Sequence, residues 1–374
     1  MLLFHKLYSM NKLKSIIFIF LLFFLINNAN AQKRKFVNEF LNIGVGAKSL
    51  AMFGAVSAQT DDIGSGYWNP AGLLKIDAPF QVSAMHAEWF AGIAQYDYLA
   101  FGKKLGKDRN SFGGVSFIRM GIDNIPNTLS LIGPDGSVNY DNITSFSAAD
   151  YALIISYAKK AFGGISIGGN TKIIYRQIGK FASAWGFGFD FGAQWKFNHL
   201  SIGLMGRDIT STFTAWSFNF TDEEKDVFLE TGNDIPLSSV EYALPKIITG
   251  IAYEGSFGGT QKDFSYLVEF DANLTTDGRK QSVFNSDFIE IAPAFGFELG
   301  YKQKVFLRGG FGNLQRVVNP ANASQRSFEI QPNIGIGLKL NRLHIDYALS
   351  NVGNLSSILY SHIFSLTLDL THNK

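Results

Sequence analysis

The sequence predicts an all-β chain: a transmembrane antiparallel up-and-down β-barrel of about 14 strands with an N-terminal plug-like segment. Three observations predict it. Apolar and polar residues alternate in segment after segment at the two-residue period of strands, and the apolar faces are crowded with Phe, Trp and Tyr. Several of these segments run for about 12 to 16 residues, whereas strands of soluble sandwiches average about 5 to 6. Of 374 residues, 46% are hydrophobic, 14% aromatic and only 17% charged, against roughly 25% charged in soluble domains. A mean hydropathy of +0.07 is too low for a bundle of helices, each of which needs about 20 apolar residues in a row to cross a bilayer.

Residues 1–31 read as an export leader: Lys6, Lys12 and Lys14 in front, an apolar core from Ile16 to Ile26, then Ala29-Asn30-Ala31 as a small-residue cleavage site. The core is too short for a membrane anchor, and Met10 is an alternative start. Three of the 33 basic residues and none of the 31 acidic ones lie in this leader, so the mature chain is close to neutral and has no nucleic-acid footprint. The absence of cysteine excludes disulfides, thiolate metal sites, thiol catalysis and lipoprotein anchoring.

Residues 32–78 do not alternate. The stretch from Phe36 to Ala58 is Ala-rich with partly helical spacing, and Tyr67 to Leu73 contains Asn69-Pro70, which starts a turn, and Gly72, which allows close approach. Such a segment either caps the periplasmic mouth of a barrel or enters its lumen as a plug. The barrel itself is assigned to 79–374.

Its strands are expected near 80–90, 94–105, 110–120, 147–160, 163–178, 183–197, 199–209, 244–256, 262–274, 287–302, 303–313, 326–340, 341–350 and 360–370. In one of them Trp185, Phe187, Phe189, Phe191, Ala193, Trp195 and Phe197 oppose Gly186, Gly188, Asp190, Gly192, Gln194 and Lys196, a sorting no helix can make. The final strand sets Phe364, Leu366, Leu368 and Leu370 toward lipid and Ser365, Thr367 and Asp369 inward. Connections alternate between compact, such as Asn198 to His199, and long, such as Asp208 to Ala243 and Gly312 to Gln325. That parity places both termini in the periplasm. The compact Phe90 to Ala94 connection breaks the rule.

The run Gly46-Ala47-Lys48-Ser49-Leu50-Ala51-Met52, then Gly54-Ala55, Ala58, Asp61-Asp62 and Trp68-Asn69-Pro70-Ala71-Gly72-Leu73 resembles the N-terminal signature of the PorV/PorQ family within the FadL-like barrels. Phe53 departs from it, standing where many relatives have Gly, and the later strands match only in spacing and style. The resemblance implies an outer-membrane protein without catalysis, a docking component of type IX protein secretion, whose partners would be secretion components or cargo C-terminal domains. More distant FadL-like relatives carry hydrophobic small molecules across the outer membrane, the alternative function. Within the signature, Gly46, Ala47, Met52, Gly54, Asp61, Asp62, Asn69, Pro70, Ala71 and Gly72 form the expected plug corner.

Chemistry-bearing motifs are weak. Gly164-Ile165-Ser166-Ile167-Gly168 matches G-x-S-x-G, but the Ser lies in an alternating strand rather than at a strand-to-helix elbow. Gly44 to Ser49 echoes a phosphate loop, yet Ala47 stands where Gly is required. His344 and Asp346 share an inward face and form the candidate pair of a rival hydrolase reading. The histidines lack metal-ligand spacing, and no cofactor is expected. Asp190, Lys196, Glu269, Asp271, Glu290, Glu298 and Arg308 head a set of inward ionisables of both signs, expected to pair across the lumen rather than form a one-sign conduit. Phe213, Trp216, Phe218 and Phe220, beside the acidic run at 222–224, make the expected partner loop, unless that loop folds over its own barrel mouth.

Overall fold

The computed structural model describes residues 37–89, 91–106, 110–132, 136–258, 263–276, 282–286, 289–319, 322–352 and 360–371. The expected leader, residues 1–31, lies outside the described residues.

Among the described residues, seventeen strands follow a helical segment. They are β1 (Phe80–Trp89), β2 (Ala94–Leu105), β3 (Ser111–Asn127), β4 (Thr144–Lys160), β5 (Ile165–Ile178), β6 (Ala182–Phe197), β7 (Leu200–Arg207), β8 (Phe213–Phe218), β9 (Ser239–Tyr242), β10 (Lys246–Phe257), β11 (Phe264–Thr275), β12 (Phe284–Asn285), β13 (Glu290–Tyr301), β14 (Val305–Asn319), β15 (Asn322–Leu340), β16 (Leu343–Ser350) and β17 (Ser361–Leu370). Fourteen of them make one closed antiparallel wall. Neighbours in sequence pair around the ring, β7 meets β10, β11 meets β13, and β17 closes on β1 with Phe80 opposite Leu370. Closure leaves no strand edge unpaired, which a bilayer demands because lipid offers no hydrogen bonds. β8 pairs with the first six residues of β6 and β9 with β8, and β12 adds a two-residue rung to β13.

The period-two pattern sets the faces. Trp185, Phe189, Phe191, Trp195 and Phe197 of β6 are exposed on the outside, and Asp190 and Gln194 are buried inside. In β17, Phe364, Leu366, Leu368 and Leu370 face out while Ser365 and Thr367 face in. An apolar outer surface over a whole closed sheet is that of a barrel that spans a membrane.

Three expectations are corrected. β3 and β4 reach farther than alternation suggested, past a bulge between Ile122 and Ile125 where Asn124 has a φ of 58°. β14 and β15 absorb most of the expected 312–325 loop, with a second bulge after Gly312. The expected 208–243 loop contains β8, β9 and a helix, Asp222–Glu230, whose Thr221 and Glu224 form a reciprocal capping box. The short β1–β2 connection is a tight hairpin in which Ala91 and Gly92 take φ of 57° and 84°.

The inner face is divided. From β1 to β4 most of its buried side chains are apolar, Met85, Ala87, Tyr96, Ile118, Ala152 and Ile154 among them, and Ala348 and Ile363 continue the patch onto β16 and β17 beside the buried Ser361, Ser365 and Thr367. They pack on Phe40, Leu41, Val45, Leu50 and Tyr67 of the N-terminal segment, forming the main apolar core. Burying each large apolar side chain contributes roughly 1.5–3 kcal/mol. Across the lumen, β5 to β16 bury charged groups instead, among them Lys172, Asp190, Arg207, Glu269, Asp271, Glu290, Arg308 and Asp346.

Candidate functional site

The N-terminal segment folds into short pieces: 3-10 turns at Glu39–Asn42 and Pro70–Lys75, and two helices, α1 (Ala47–Ala51) and α2 (Ser65–Trp68). Helices of four to six residues leave nearly all of their N–H and C=O groups without internal partners, and burial makes such groups costly. The wall supplies the partners. Ser365 accepts from Ala47 N at 2.6 Å, Gln81 from Ile63 N at 2.7 Å and Glu269 from Ala58 N at 2.6 Å. Asn333 donates to Leu50 O, and Asn170 to Gly66 O, both at 2.7 Å. Tyr96 donates to Phe40 O at 3.1 Å, Gln194 to Ser57 O at 2.8 Å and Thr214 to Asn38 at 3.1 Å.

Glycines of the inner wall let the segment come this close. A Cβ on Gly203 would sit 2.4 Å from Ser57 O, on Gly310 2.3 Å from the Met52 carbonyl carbon, on Gly168 2.6 Å from the Pro70 carbonyl carbon and on Gly335 2.5 Å from Ala51 Cβ. These residues belong to β7, β14, β5 and β15, so backbone meets backbone around much of the ring. Of the glycines that sequence reading put on the polar face of β6, Gly192 meets Asn69 and Pro70 of this segment, while Gly186 and Gly188 face Thr214 and Thr212.

The residues of the N-terminal signature build the plug's own corners. Gly46 caps α1 with a φ of 83°, and Ala47 opens the helix. The Trp68 ring lies over Gly44 and Gly54, where a Cβ on either would come within 2.8 Å of it. Phe53 takes a φ of 57°, the left-handed region, which explains physically why glycine suits that position; its ring packs over Gly312. Met52 is fully buried against Gly296 and Gly310. Asn69 caps Ala71 N at 3.2 Å while donating to Ser57 O at 2.8 Å and Ala193 O at 3.2 Å, and Pro70 begins the turn that carries Gly72 against Thr60. Asp61 pairs with Lys48 at 2.5 Å, and Asp62 accepts from Gly64 N at 2.8 Å at the start of α2. Burial works against the Lys48 ammonium, but Asp61, with Glu298 and Asp62 beyond it, holds its pKa above the usual lysine value. Burial, opposed by Lys48 and reinforced by the neighbouring Asp61, pushes Asp62 up.

Replacing Asn69 by Ala removes three hydrogen bonds at a fully buried point, at a cost of about 1–3 kcal/mol. The expected result is amide exchange at 57–72 roughly tenfold faster or more, with unchanged exchange in the wall strands. Hydrogen-exchange mass spectrometry measures both.

The inward ionisables do not form one network; they fall into separate clusters. Asp190 meets Lys172 at 2.7 Å, and the same ammonium bonds Asp208, whose carboxylate also accepts from Thr212 at 2.5 Å. Lys196 bonds Glu254. Arg308 bridges Glu298 and Asp346, each at 2.5 Å. Glu290 accepts from Ser282 N. Glu269 and Asp271 face plug backbone N–H groups and, among the described residues, have no cation of their own. Arg207 lies over the Tyr67 ring at 4.5 Å and donates to Tyr67 O at 3.1 Å, so it too grips the plug.

At the end of the barrel opposite Phe80 and Leu370, Trp216, Phe218 and Phe220 come together and Phe213 does not. Phe213 points outward opposite Phe187, continuing the lipid-facing surface. The other three are half-buried on the opposite face: Trp216 stacks on Phe218 at 6.1 Å, Phe218 on Phe220 at 6.0 Å, and Phe220 meets Phe228 edge-on at 5.0 Å. Phe181 joins Phe220 to Phe146 of β4. Arg176, held by Asp150 at 2.7 and 3.0 Å, lies 5.0 Å from the Trp216 ring centre. A cleft of about 500 Å³ opens between this shelf and the 235–238 stretch, lined by Phe218, Phe220, Thr221, Lys225, Ile235 and Leu237.

Two enzyme-like motifs dissolve in three dimensions. Asp346 is engaged by Arg308, and the carboxylate beside His344 is Asp369, at 3.5 Å from Nε2. Ser166 sits near the start of β5, between Ile165 and Ile167 on a regular strand paired to β6.

Sequence reading missed the apolar inner arc. β2 and β4 are apolar on both faces there, Tyr96, Tyr98 and Ala100 inward with Leu99 and Phe101 outward, so alternation of polarity carries no signal. An unbroken apolar run in an otherwise alternating barrel was the available cue.

No protein-family model and no curated protein matches the chain. Its fold is similar to solved membrane channels. The CymD monoaromatic hydrocarbon channel aligns with a TM-score of 0.54 at 11% identity, over 89% of this chain and 99% of that one. The Pseudomonas putida toluene transporter TodX aligns with a TM-score of 0.55 at 13% identity, over 88% and 99%. A Pseudomonas aeruginosa FadL homologue aligns with a TM-score of 0.50 at 13% identity, over 87% and 98%. At these identities the likeness is one of fold.

Proposed function

We propose that this chain is a non-enzymatic outer-membrane channel for hydrophobic small molecules, kept shut by its plug. The observation that carries the reading is the apolar inner arc from β1 to β4, which meets the outer aromatic shelf through Phe146 on the inward face of β4. A greasy solute landing on Trp216, Phe218 and Phe220 then has an apolar surface to follow once the plug loosens, and a water-filled pore has no use for one. Similarity in fold to hydrocarbon channels supports the same reading. A docking role in type IX secretion has less behind it, because three of the four aromatics expected at its partner surface pack on one another and the fourth faces lipid.

The test is a deletion strain assayed in parallel for uptake of a labelled aromatic hydrocarbon or fatty acid and for secretion of a reporter with a type IX signal domain. The expected result is slowed uptake, restored by the wild-type gene, with secretion intact. Lost secretion with normal uptake would reverse the assignment.

A further inference from the structure

Glu269 and Asp271 lie two positions apart on the inner face of β11 and reach the same plug turn. Glu269 Oε1 accepts from Ala58 N at 2.6 Å; Asp271 Oδ2 accepts from Val56 N at 3.2 Å and Ser57 N at 3.0 Å. Each carboxyl thus gives one oxygen to the plug backbone. The outer oxygen of each, Glu269 Oε2 and Asp271 Oδ1, is buried, and the two side chains are within hydrogen-bonding reach of each other. The residues are 0% and 1% exposed.

The surrounding charges are already committed. Lys75 donates to Ala58 O and Gln59, both at 2.7 Å. Glu254 of β10 is held by Lys196 and by Gln59 at 2.5 Å, Glu298 of β13 by Arg308, and Asp61 of the plug by Lys48. The Ser57 hydroxyl lies beside Asp271 Oδ1, both within 2.2 Å of where a Cβ on Gly250 would stand. Two adjacent buried carboxylates cannot both stay ionised at low cost. A single proton on Glu269 Oε2, donated to Asp271, gives both outer oxygens a partner and leaves one negative charge for three N–H donors. A metal ion fits less well, since among the described residues no three or more acidic or histidine side chains gather to hold one.

We propose that Glu269 and Asp271 form a one-proton latch that holds the plug turn against β11 and lets it go when the proton is lost. The closed form carries the proton, so the hold is complete at low pH and weakens as pH rises. Burial pushes the nearby Lys75 ammonium down to about 8, and as it loses its charge the Glu269 proton is held more firmly, so Lys75 does not drive the release. The latch concerns plug movement and does not depend on what the channel carries.

The experiment is single-channel conductance of the full mature protein in planar bilayers from pH 5 to 9, with exchange at the Val56, Ser57 and Ala58 amides as a second readout. In the wild type, opening and exchange rise with pH, by roughly tenfold per pH unit at the steepest, the slope of one proton. Glu269→Gln keeps the acceptor for Ala58 N and donates permanently to Asp271, so it stays closed with a flat pH profile; Asp271→Asn serves if that variant fails to insert. Lys75→Met keeps the wild-type slope. A wild-type slope in both carboxyl variants, loss of the slope in Lys75→Met, or calcium at constant pH reproducing the effect of pH would each overturn the latch.

Discussion

A Gly203→Ala, Gly310→Ala double variant is expected to assemble its barrel normally and fail to seat its plug. The added methyl at 203 meets Ser57 O at 2.4 Å and the one at 310 meets the Met52 carbonyl carbon at 2.3 Å. Both obstacles are backbone, which cannot swing aside as a flexible side chain can, and overpacking of this kind costs about 1–3 kcal/mol per site. Both methyls act on the plug and neither on a wall hydrogen bond, so the penalty falls on seating. Planar-bilayer recordings should then show long open events that the wild type lacks, and cells should admit bulky hydrophilic antibiotics. Gly169→Ala is the control: its nearest new contact is Asp190 O at an ordinary 3.4 Å, and it should behave as wild type. A double variant as tightly closed as the wild type would mean that the plug does not rest on these glycines.

The second large effect is on stability. Lys172 is 3% exposed and sits between Asp190, at 2.7 Å, and Asp208. Lys172→Met preserves the length of the side chain but leaves two carboxylates buried without their cation. Removing one partner of a buried pair costs about 3–5 kcal/mol, because the remaining charge has no solvent to return to. The expected result is a lower denaturant midpoint in detergent micelles, followed by the shift between folded and unfolded electrophoretic bands. The deficit should shrink as pH falls and the stranded carboxylates take up protons. Lys225→Ala on the 222–230 helix breaks an exposed pair with Asp222 and should leave the denaturant midpoint close to that of the wild type. Equal effects of the two substitutions would show that burial is not what gives the Lys172 cluster its weight.

The wall was legible in the sequence for a local reason. A strand that faces lipid on one side and lumen on the other repeats every two residues, so Trp185 to Phe197 and Phe364 to Leu370 could be assigned to their faces from spacing alone. Legibility ended where that contrast ended. β2 and β4 are apolar on both faces, so their inner arc went unseen, and the 208–243 stretch changes between strand and helix too quickly for any single period to register.

The chain's own order of residues determined the closed antiparallel wall, its alternation of faces and the identity of the inward charges, because backbone in a bilayer must pair completely and each strand repeats its polarity every second residue. Which charges meet, and how the plug is held, was decided only in three dimensions. Ala47 finds Ser365 across 318 positions of sequence and Ser57 finds Asp271 across 214, and no periodicity records contacts of that separation. The plug has no repeat of its own; its short helices take their partners from the wall, so its seat exists only once the wall has closed around it.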